Sequence, residues 1–140
     1  MKKIIFSIVT ICSFYFASHA QCDKNIVLES SKTEYLDGNG NVVRTDIEDA
    51  VVTITRKEVV IKSSKDHTMY GDIKSSACNW KVPFKEGRWV LDLLFQDQGK
   101  QKQISIIIEG KDGKVIMTVR FAEDSSKVIR VSADKFEEAK

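Results

Sequence analysis

Beyond residue 20 the chain has a single histidine, His67, with Ser63, Ser64 and Asp66 close by in sequence. On paper these supply the nucleophile, base and acid of a Ser-His-Asp system. Neighbouring residues of one turn do not converge on one reacting atom, and no serine lies in a Gly-x-Ser-x-Gly elbow. His67 therefore reads as a solvated loop residue. Asp37-Gly-Asn-Gly-Asn41 places oxygen ligands with calcium-loop spacing, but the sixth position is Val42 and the flanks read as strands. A hairpin turn is the better reading. The remaining carboxylates, Asp92, Asp97, Glu123, Asp124, Glu137 and Glu138, are scattered and define no acid–base pair. No catalytic residue, metal ligand or cofactor is assigned, and the chain is not read as an enzyme.

Aromatic side chains are the other candidates. Tyr35, Tyr70, Trp80, Phe84, Trp89, Phe95, Phe121 and Phe136 all follow residue 20. In a β-structure such residues either fill the core or line an apolar cavity. Filling is the default. If a cavity exists, Trp80, Trp89, Tyr70, Phe95 and Phe121 are the candidate ligand contacts.

The elements that must position them are strands. Trp89, Leu91, Leu93 and Phe95 alternate onto one face of a run from Arg88, as do Val115, Met117, Val119 and Phe121 on a later one. Between them lies Gln103–Glu109, apolar on both faces at Ile106–Ile108, the pattern of a central strand covered on both sides. Ile26–Leu36 reads as a first strand, closed by the Asp37–Gly40 turn, with Asn41–Thr45 returning. Asp46–Asp49 reads as a polar connection. Ala50–Thr55 and Glu58–Lys62 form a second hairpin. Thr68–Lys74 and Ala77–Val82 read as two further strands, the latter stopped by Pro83. Val128–Val131 is the last strand, and Ser132 or Asp134 caps a short helix through Ala139. The expected fold is all-β, an antiparallel meander of about nine or ten strands forming a barrel or a two-sheet sandwich, with a short C-terminal helix.

The N-terminus speaks to compartment. Lys2 and Lys3 precede an apolar run from Ile4 to Phe16, and Ala17-Ser-His-Ala20 has the small residues a signal peptidase reads. About 13 helical residues reach only ~20 Å, short of a ~30 Å hydrocarbon core. Residues 1–20 are thus expected to be a signal peptide and residues 21–140 one domain, secreted or periplasmic. Gln21 and His19 do not fit the usual residues before a lipidated cysteine, so Cys22 is not read as a lipid attachment site. No stable membrane insertion is expected after cleavage. Removing Lys2 and Lys3 leaves 22 − 2 = 20 basic residues against 20 acidic ones. That balance offers no net field for nucleic acid.

Cys12 leaves with the signal peptide. Cys22 and Cys78 remain in an oxidising compartment, where two is the number one disulfide requires; two separate thiols are the alternative. Exported chain, many-stranded meander and short terminal helix together resemble lipocalin-like small secreted bacterial proteins. The resemblance is one of architecture. The Gly-x-Trp signature is absent from Ile26–Leu36, so no ligand residue is carried over. It implies a barrel holding a small apolar ligand. An envelope or secreted module binding a protein or glycan through its loops is the other expectation.

Overall fold

The computed structural model describes residues 21–64, 67–97 and 99–140. The expected signal peptide, together with Lys65, Asp66 and Gln98, lies outside the described residues. Among the described residues nine strands follow one another: β1 Ile26–Leu36, β2 Val42–Ile54, β3 Glu58–Ser63, β4 Thr68–Val82, β5 Glu86–Asp97, β6 Lys100–Lys111, β7 Lys114–Phe121, β8 Val128–Ser132 and β9 Lys135–Glu138. Every pairing is antiparallel, and each strand from β1 to β8 pairs with the next or, for β8, with β1. The meander therefore closes on itself as an eight-stranded barrel, which removes most of the unpaired sheet edge.

Closure depends on how β1 is shared. Its whole length pairs with β2 on one edge. On the other edge Thr33–Leu36 pairs with β8, and Ile26–Glu29 pairs with β9. β9, which lies outside the eight-stranded ring, corrects the expected C-terminal helix; among the described residues there is no helix. The physical reason is the edge of β1. Its backbone groups need partners, and a strand supplies them along Ile26–Glu29. Alternation then turns Phe136 toward Trp80 (ring centroids 5.5 Å apart), while Lys135 and Glu137 form an ion pair of 3.3 Å. A helix of about two turns has too little internal stabilisation to compete.

Two segments expected to be interrupted are continuous. β2 runs through Asp46–Asp49, and β4 joins Thr68–Lys74 to Ala77–Val82 across a register shift between Ile73 and Ser75. A bulge in β1 between Ser30 and Lys32 switches the parity of the strand. The Ser30 hydroxyl, buried there, donates to Lys32 O at 2.9 Å and accepts from Lys32 N at 3.3 Å.

The core is the barrel interior, filled from one end. Ile26, Leu28, Ile54, Val59, Trp80, Leu91, Ile106 and Ile108 are fully buried, and Trp89 nearly so. Ile107 is only half-buried on the outer face beside Val90 and Thr118. The strand is therefore covered on one side, which corrects the sandwiched reading: a barrel's outer face meets solvent. Trp80 also needs its partners bare. A Cβ on Gly110 would lie 2.7 Å from Trp80 Cζ3 and 2.5 Å from Lys85 O.

Candidate functional site

The opposite end of the barrel is not filled. A cavity of about 170 Å³ lies there. All eight barrel strands contribute to its wall: Tyr35, Ala50, Ile61, Met69, Phe95, Ile104, Met117 and Ile129 are examples, one from each strand. Its surface is mainly apolar, with Thr33, Glu48 and Ser63 adding polar groups.

Local sequence explains why this end is hollow. Past the β1 bulge the interior positions are Thr33 and Tyr35, and those of β2 toward the same end are Ala50 and Glu48. Small or polar residues replace the Ile and Leu that fill the other end. On β4 the position facing Phe95 is Gly71, where a Cβ would come within 2.7 Å of Phe95 Cε2. Absence of that Cβ is what lets the Phe95 ring lie against the wall.

Above the cavity is a rim cleft of about 380 Å³, which shares Tyr35, Phe121 and Ile129 with it. These three side chains partition inner cavity from outer cleft. The Arg44 guanidinium sits 4.0 Å from the Tyr35 ring centroid and pairs with Asp46 Oδ1 at 3.4 Å. Cation–π contact and ion pair together orient the tyrosine at the mouth. The neighbouring β1–β2 turn is tied by its own hydrogen bonds. Asp37 Oδ1 accepts from the backbone N–H groups of Asn39 and Asn41, each at 2.9 Å, and Gly40 takes a φ of 84°. Those donors, with Asn41 first, hold the Asp37 carboxyl below its ordinary pKa of 3.8. Its carboxylate is thus engaged by the turn itself.

The five aromatic candidates separate in space. Phe95 and Phe121 lie on the cavity wall. Trp80 and Trp89 are buried in the filled end, where Trp89 Nε1 donates to Ser76 Oγ at 2.9 Å. Tyr70 is 56 % exposed and is not on that wall. The five leave out Tyr35, which was among the aromatics able to line a cavity, and also Met69 and Met117. Alternation could have flagged both methionines, since Met69 shares a face with Ile73 opposite Tyr70, and Met117 shares one with Val119 and Phe121.

Cys22 and Cys78 form a disulfide, with Cα atoms 6.1 Å apart. It ties the N-terminal turn to β4 beside Trp89, at the filled end. Such a bond is in keeping with an extracellular or periplasmic setting. His67 is exposed, and Ser63 N donates to its carbonyl at 3.0 Å; Asp66 is outside the described residues.

No protein-family model and no curated protein sequence matches the chain. The eight-stranded antiparallel barrel is consistent with lipocalin-like architecture, and the functional reading rests on the cavity.

Proposed function

We propose that this is an exported, non-enzymatic binding protein that carries a small apolar molecule in the open end of its barrel. One observation carries the reading: a mostly apolar cavity of about 170 Å³ walled by every strand of the ring. Volume decides the ligand class. An apolar protein cavity of about 150 Å³ takes up benzene, whereas drug-sized ligands occupy roughly 300–1,000 Å³. The inner cavity therefore suits a single-ring aromatic or a short aliphatic chain. Thr33 and Ser63 on the same wall would orient one polar substituent.

The sequence supplies its own probes. After residue 20 the methionines are Met69 and Met117, and both line the cavity. Methyl-labelled methionine NMR during titration with benzene and with indole should shift both signals saturably. Ala50→Leu, which adds carbons to the wall, should abolish the shifts while preserving the fold. Unmoved methionine signals with both probes would remove the proposal. Tryptophan emission is a poor reporter here, because both indoles lie in the filled end.

A second reading, an interaction module of the envelope, is favoured by the edge of β2. Among the described residues, 42–47 have ladder partners on β1 alone; Asp49 O accepts from Ser64 N at 2.9 Å, and pairing to β3 begins at Ala50. Ile47 on that stretch is 82 % exposed. A strand edge of this kind can accept another strand. Capture of an envelope protein that is lost on Ile47→Lys, with no response of the methionine methyls, would select this reading over the first.

A further inference from the structure

We infer that Gln21 is a modification site, which closes to the neutral five-membered lactam pyroglutamate once cleavage after Ala20 makes it the first residue. This rests on the export part of the proposed function and on a separate structural observation. Gln21 is only 2 % exposed. Its Oε1 accepts a hydrogen bond from Phe84 N at 2.7 Å. The Nε2 of the same amide is buried and has no partner among the described residues. A buried amide normally satisfies both ends, and an unsatisfied donor carries its full desolvation penalty.

Cleavage would add a second burden. It leaves an α-ammonium on Gln21, next to Cys22 of the disulfide and against Phe84, whose ring meets Phe136 edge-on at 5.5 Å. A charge in that apolar corner is unfavourable without a partner. Cyclisation removes the carboxamide nitrogen and turns the ammonium into a neutral lactam N–H. The neutral α-nitrogen attacks Cδ, an N–Cδ bond forms, and the Cδ–Nε2 bond breaks. Nε2 departs as ammonia, taking a proton from the α-nitrogen. No oxidant, reductant or co-reactant is needed. The lactam keeps the carbonyl oxygen that Phe84 N–H reaches and loses the nitrogen that nothing satisfies. The backbone carbonyl of Gln21, which accepts from Lys24 N at 3.3 Å, is untouched.

The test is mass spectrometry of the protein recovered from an exporting cell. The expected N-terminal peptide begins at residue 21, is one ammonia lighter than its Gln form and is blocked to Edman degradation. The Q21N variant, one carbon too short for this ring, should keep an open, sequenceable N-terminus. Pyroglutamyl aminopeptidase should release the lactam after reduction and denaturation but not from the native protein. A cleaved chain with an intact Gln21 amide overturns the inference and leaves export standing. A chain still carrying residues 1–20 overturns export as well. Release of the lactam from native protein would overturn its buried placement.

Discussion

Replacing both cysteines, C22A with C78A, gives a prediction whose size follows from the chain itself. The bond joins residues separated by 56 positions and encloses strands β1 to β3 and most of β4. Opening a loop of that length returns entropy to the unfolded chain worth about 4 kcal/mol at room temperature. The 120 residues after Ala20, at ~2.1 cal/mol/K each, give an unfolding entropy near 0.25 kcal/mol/K, so the melting temperature should fall by roughly 16 °C. In urea, with a slope of ~2 kcal/mol/M, the midpoint should drop by about 2 M. Calorimetry and urea titration of parent and double variant, each with and without reductant, provide the assay. Because the term resides in the unfolded state, C22A alone, C78A alone and the pair should lose nearly the same amount. A double variant within about 1 kcal/mol of the oxidised parent would refute the reasoning, since that is below the smallest effect a loop of this length should produce.

Three further outcomes are expected. Gly71→Ala should push the Phe95 ring into the cavity, cost about 1–3 kcal/mol in denaturant titration and weaken benzene uptake seen at the methionine methyls. Gly110→Ala meets the backbone carbonyl of Lys85, which cannot rotate away, so its loss should exceed that of Gly71→Ala in the same titration. Asp92 accepts from Ser105 Oγ and Ser75 Oγ, each at 2.7 Å, and these hydroxyls, Ser105 first, hold its pKa below 3.8. A depressed folded pKa means that its contribution is present above pH 3.8 and fades as the pH falls through the lower folded value. Asp92→Asn should cost about 1 kcal/mol near neutrality, after allowance for solvent screening, and less at pH 2. Equal losses at both pH values would contradict that assignment.

Much of the fold was legible along the chain because a strand's side-chain period of two is local. Trp89 to Phe95 and Val115 to Phe121 declare their inward faces without reference to any partner, and Ile26–Leu36 is bounded by a turn whose Asp37 and Gly40 act within five residues. The expected signal peptide and a pair of cysteines likewise made Cys22–Cys78 the natural disulfide. What failed were segments whose state is set by a distant neighbour. Lys135–Glu138 becomes a strand because the edge of β1 is vacant, and Asp46–Asp49 stays in a strand because β1 carries it to the barrel mouth, where interior positions tolerate charge. The cavity belongs to the same class. Its wall draws from all eight strands and from residues as far apart in sequence as Thr33 and Val131. Which aromatics border it depends on bulges at Ser30 and Ile73 that shift side-chain parity. Local pattern thus determined the strands and their inward faces. Closure of the ring, and with it the hollow end, was decided only by tertiary pairing, because no short stretch encodes which edge remains to be satisfied.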